Sequence, residues 1–242
     1  MENIFPNKIY QAILLIIVPL IISSPVFFIL TKYDLDIDYF VNIFFTTYCL
    51  CLILIHFLIS ILFNYQISFS INIPKNSNVL LLSLFIISFQ IGIHFPLIEF
   101  TQDISTNYEF SPLHLIGALI LAPIFEEYIF RGIILNGLLS KFSNFWAIVI
   151  TNVIFCIIHL SVNQFFGALF LGIFISLVFI KNKSLGTCIY LHFLSNTIAF
   201  LHYYLNINYS ISILINGLFA IIFFTIIAMN IKSLFTNDET TC

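Results

Sequence analysis

Six side chains with useful chemistry fall inside long apolar runs: Glu126, Glu127 and Arg131 in one, His159 in a second, His192 and Asn196 in a third. An ionised carboxylate at membrane depth costs at least about 2.5 kcal/mol. Two in tandem, with an arginine one helical turn on, therefore require compensation. They form either a structural ion cluster or the acid–base centre of a site. Residues four apart share a helix face, and an acid N-terminal to a base is the favoured order. Glu127 and Arg131 have that spacing and are expected to pair. Glu126 is turned about 100° from its neighbour and is one residue out of register with the arginine, which makes it the candidate general base. His192 and Asn196 are also four apart and project from one face.

A carboxylate shielded from bulk water is a good proton acceptor, and a neighbouring histidine helps to hold and polarise the water it activates. An asparagine amide and a second histidine can donate to the oxyanion formed when water attacks a peptide carbonyl. The set suits direct hydrolysis of an amide bond, with water as nucleophile. No G-x-S-x-G motif suggests a serine nucleophile. Cys156 lies three residues before His159, but nothing marks it as activated. Zinc is the alternative, since two histidines and a glutamate leave a fourth position open. Against it, there is no His-Glu-x-x-His pair, and asparagine is a poor zinc ligand. A non-catalytic membrane immunity or scaffold protein is the remaining reading. His56, His94, His114 and His202 lie in no motif and are read as hydrogen-bonded core residues.

These residues need helices to position them. The chain has 242 residues, 61% hydrophobic and 8% charged, against about a quarter charged in a soluble domain. Its apolar runs are continuous rather than alternating, which predicts an all-α polytopic bundle. Eight spans are expected, at about 9–30, 39–63, 78–98, 113–139, 145–160, 165–180, 185–205 and 211–231, in a single membrane domain over 1–242. Pro19 and Pro25 are expected to kink the first, which is read as a retained helix because no cleavage site follows it. With eight spans, Lys8, Lys75, Lys141, Lys181, Lys183 and Lys232 collect on one side. The opposite loops hold Lys32 and six acids. By the positive-inside pattern both termini are cytoplasmic. Five cysteines, at no metal-binding spacing, read as packing residues, and Cys242 is not itself a prenylation box. Ala168, Gly172 and Ser176 form a strip of small residues on the sixth span. It suits close packing within the chain, or a homodimer interface. No nucleic-acid partner is expected.

The order Glu126-Glu127-Tyr-Ile-Phe-Arg131, then Phe155-Cys-Ile-Ile-His159, then His192-Phe-Leu-Ser-Asn196 resembles the CPBP family of intramembrane glutamate proteases. That family joins the type II CAAX prenyl endopeptidases with bacterial members tied to bacteriocin processing and self-immunity. The resemblance covers about 122–196 and implies a catalytic core at about 113–205. It implies that Glu126 is the general base, His159 its partner in activating water, and His192 with Asn196 the oxyanion site. Glu127 and Arg131 would support them, and Phe155 would wall the cavity. It implies no cofactor. The expected substrate is a hydrophobic peptide or membrane protein, and the expected location is a bacterial cytoplasmic membrane.

Overall fold

The computed structural model describes residues 5–33, 37–65, 70–73, 78–97, 112–159, 162–205 and 209–235. Among the described residues, eight helical rods follow one another where the apolar runs predict them. They are α1 (Ile9–Leu30), α2 (Ile37–Leu62), α3 (Val79–Phe89, continued by a π turn at Gln90–His94), α4, α5 (Asn144–His159), α6 (Val162–Asn182), α7 (Leu185–Leu205) and α8 (Tyr209–Phe235). The fourth rod departs from the expected uniform α-helix. It runs Pro112–Ile116, Gly117–Leu121, Ala122–Glu127, Tyr128–Leu135 and Asn136–Leu138, and its second and fourth stretches are π-helical. Among the described residues, four helices are long and apolar enough to cross a bilayer: Ile9–Leu30, Tyr39–Leu62, Val79–Leu97 and Phe165–Asn182. The 22 residues of α1 make a rod about 33 Å long, against a hydrocarbon core of about 30 Å. The protein is an integral membrane helix bundle.

α1 and α2 form an antiparallel hairpin. Phe27 packs edge-on against Phe40 and Phe44 at one end, and the Tyr48 hydroxyl donates to the Ile16 carbonyl nearer the middle. α1 stays helical through both prolines. Pro25 has no N–H to give the carbonyl four residues back, and the Ser24 hydroxyl donates to that Ile21 carbonyl at 2.7 Å instead. Before α1, the Phe5 carbonyl accepts from His56 Nε2 of α2.

Lipid tails are as apolar as the side chains, so burial alone does not drive these rods together. Close packing does. α3, α6 and α8 meet in a stack of rings, Phe85 and Phe89 against Phe170, Phe174 and Phe223. At Gly92 the α3 backbone lies so close to Phe219 and Ala220 of α8 that a Cβ would overlap it. The small strip of α6 is used within the chain. Ala168, Gly172 and Ser176 are buried, and a Cβ at Gly172 would collide with Asn152 Oδ1 of α5. That placement supports the intramolecular reading of the strip and removes it as a face for a second copy. Residues Ser70 to Ile73 hook onto the α6–α7 turn. Ser70 N–H donates to the Lys183 carbonyl, and Leu185 N–H donates to the Ser70 carbonyl.

Candidate active site

The π-helical stretches of α4 set its geometry. A π turn inserts an extra residue into the helical ladder, is rare, and gathers at functional sites. One stretch ends just before the Ala122–Glu127 segment and the other begins just after it, so both glutamates sit on an α-helical island between two widened turns. Within that island and beyond it, Glu127 and Arg131 keep their four-residue spacing. Arg131 Nη1 donates to Glu127 Oε1 at 2.8 Å, and both side chains are closed off from solvent.

α7 meets this pair from the other side. His192 Nδ1 lies 2.7 Å from the same Glu127 Oε1. An ionised carboxylate only accepts, so the ring nitrogen carries the proton and donates. Glu127 thus fixes the imidazole orientation. The opposite nitrogen, Nε2, faces Glu126 Oε2 at 3.9 Å. That gap exceeds a direct hydrogen bond.

Asn196, one turn further along α7, donates from Nδ2 to the Ala118 carbonyl at 2.8 Å. Ala118 belongs to the first π stretch of α4. This bond fixes the amide plane and leaves Asn196 a second N–H and its carbonyl oxygen for other partners. Arg131 is held from three directions. Besides Glu127, its Nη2 donates to the Gly172 carbonyl of α6 at 2.9 Å, and its guanidinium lies 5.1 Å from the Phe155 ring. Phe155 also stands edge-on to Phe130 and to His192. α2 closes the remaining side, where Phe45 packs on Phe125 and a Cβ at Gly117 would overlap Asn42.

The structure therefore brings Glu126, Glu127, Arg131, Phe155 and His192 together, with Asn196 anchored one turn away. His159 is the last residue of α5, and its side chain lies outside the described residues, as does that of His114. Of the other histidines, His94 Nδ1 bonds Gln90 Oε1 at 2.6 Å and His202 stacks on Phe95, in keeping with core roles. Among the described residues, no group of three or more His, Cys, Asp or Glu side chains is arranged to hold a metal ion. Glu127 Oε1 serves both Arg131 and His192.

Sequence reasoning missed the residues behind this cluster: Asn152, the Gly172 carbonyl, the Ala118 carbonyl and Asn42. A buried asparagine in the span preceding His159 was the available signal.

Residues 108–198 match the family model described as Type II CAAX prenyl endopeptidase Rce1-like. The chain is 33% identical over 99 residues to the Bacillus subtilis (strain 168) protein named "Putative membrane peptidase YdiL", a stretch covering 41% of this chain and 41% of that relative. The chain thus aligns with about two-fifths of the relative's length. No solved structure matches it.

Proposed function

We propose, because residues 108–198 match the model described as Type II CAAX prenyl endopeptidase Rce1-like, that this chain is an intramembrane endopeptidase that hydrolyses a peptide bond by glutamate-activated water. The observation that carries the reading is His192 set between two carboxylates, bonded to Glu127 at 2.7 Å and facing Glu126 at 3.9 Å.

Glu126 is the general base. A water about 2.8 Å from both Glu126 Oε2 and His192 Nε2 would subtend roughly a right angle between them, close to its own preferred geometry. His159 is assigned as a third group on that water, helping Glu126 to activate it. With Nδ1–H committed to Glu127, His192 Nε2 is the ring atom turned toward that water and Glu126. Once the proton passes from water to Glu126, His192 and the remaining Asn196 N–H stabilise the oxyanion. Glu127 orients His192, and Arg131 pairs with Glu127 in a region that water does not reach. Phe155 walls the cavity and shields the guanidinium. The apolar rods around the cluster exclude bulk water, which strengthens each of these interactions.

The substrate is a hydrophobic or membrane-bound peptide or protein, met near or within the bilayer. The lysine distribution assigns both termini to the cytoplasm. The mechanism uses no metal, so release of peptides from membranes continues in a strong chelator, and its loss would transfer the reading to a zinc enzyme. Glu126→Gln tests the base. The expected outcome is normal membrane levels with peptide release down by about 10²-fold or more. Unchanged release at normal levels would favour a non-catalytic immunity or scaffold protein.

A further inference from the structure

Behind Arg131 lies a second layer of buried polar groups on α5 and α6 that the proposed chemistry does not use. The Gly172 carbonyl receives Arg131 Nη2 at 2.9 Å and the Ser176 hydroxyl at 2.7 Å. Ser176 in turn accepts from Asn152 Nδ2 at 3.3 Å, and the same amide nitrogen donates to the Ile148 carbonyl at 2.8 Å. Asn152 is 1% exposed and Ser176 is 0% exposed. Asn152 Oδ1 has no conventional hydrogen-bond donor and rests where a Gly172 Cβ would stand, a position that suits a weak Cα–H···O contact.

We infer that Asn152, Gly172 and Ser176 are positioning residues for the site, acting through Arg131 and Glu127 to set the orientation of His192. The continuity of the chain of contacts carries this. From Asn152 to Ser176, the Gly172 carbonyl, Arg131, Glu127 and His192, each link is a direct hydrogen bond, and the relay ties α5, α6, α4 and α7 in turn. An arginine side chain loses considerable rotamer freedom on ordering, and its ion pair alone fixes only one end of the planar guanidinium. The Gly172 carbonyl fixes the other end. Ser176, sharing that carbonyl, and Asn152, bracing Ser176, keep α6 from sliding along α5. Glycine at 172 is required because any side chain would drive Asn152 out of the gap. Outer partners of this kind ordinarily govern how well inner groups are aimed. The inference rests on the proposed role of His192, and its test does not depend on proteolysis.

The full chain, with ¹⁵N-labelled histidine, is placed in lipid nanodiscs and the His192 Nδ1–H resonance is assigned with His192→Gln. A ring N–H bonded to a carboxylate gives a proton signal far downfield. Ser176→Ala and Asn152→Leu are each expected to move that signal upfield or abolish it. Thr151→Val removes a neighbouring buried hydroxyl outside the relay and is expected to leave the signal in place, whatever it does to the unfolding temperature. A His192 signal unchanged in both relay variants overturns the inference. So does an equal shift in Thr151→Val, which would reduce Asn152 and Ser176 to general packing. If Glu126→Gln leaves peptide release intact while the relay variants still shift His192, the protease reading fails and the relay stands.

Discussion

In the α1–α2 hairpin, polar side chains mostly turn back onto their own helix. Ser23 donates to the Leu20 carbonyl, Ser24 to Ile21, Thr31 to Phe28 and Thr47 to Ile43. Between α4 and its neighbours the polar bonds run across helices instead: His192 to Glu127, Asn196 to Ala118, Arg131 to Gly172. Both arrangements satisfy groups that lipid cannot. Only the second fixes one rod relative to another. A hydroxyl bonded to its own helix lets the rod sit in hydrocarbon and says nothing about what stands beside it. A cross-helix bond involving a charge holds register and angle, and its loss leaves an uncompensated charge behind. The hairpin is thus built to reside in the membrane, and the α4–α7 region is built to hold atoms at set distances.

That difference predicts a steep gradient of mutational effect. Arg131→Leu leaves Glu127 buried with His192 alone, and breaking a buried pair in this way costs about 3–5 kcal/mol. The protein is expected to vanish from membranes or to unfold far earlier in a thermal series in detergent. A small change would mean that neither the pair with Glu127 nor the bond from Arg131 to the Gly172 carbonyl of α6 holds this region together. Asn196→Ala is expected to lower peptide release about 10²- to 10³-fold, the usual cost of one oxyanion donor. It also frees the Ala118 carbonyl, so a modest drop in unfolding temperature accompanies it. Ser24→Ala re-exposes the carbonyl that Pro25 orphans and is expected to cost about 1 kcal/mol, with no effect on peptide release. Ile21, 64% exposed on the outer face of α1, is expected to accept valine within about 0.5 kcal/mol. A hairpin substitution that abolished release without altering protein level would erase the contrast.

The fold was legible because lipid imposes a simple grammar of apolar runs ended by polar turns. The eight rods of the described residues stand where those runs lie, with α7 matching at both ends. The Glu127–Arg131 pair was legible because four-residue spacing survives on the edge of a π segment. Less could be read where backbone geometry decides. No residue pattern announces the π stretches of α4; within the first, Gly117 fits against Asn42 and the Ala118 carbonyl accepts from Asn196. The small strip on α6 was visible as a strip, but its partner was not. That partner is Asn152, whose amide occupies the room that Gly172 leaves. The tie between His192 and Glu127 rather than Glu126 depends on the rotation of α7 about its own axis, which pairwise spacing on separate helices does not encode.

The central claim, that the Glu126 carboxylate activates water for peptide hydrolysis, is tested most directly in isotopic water. Membranes holding equal amounts of wild type or Glu126→Gln are incubated in H₂¹⁸O, and released peptides are sequenced by mass spectrometry. Peptides found with wild type alone, each carrying ¹⁸O in its new C-terminal carboxylate, are the predicted result. The same labelled peptides in equal yield from Glu126→Gln would contradict it.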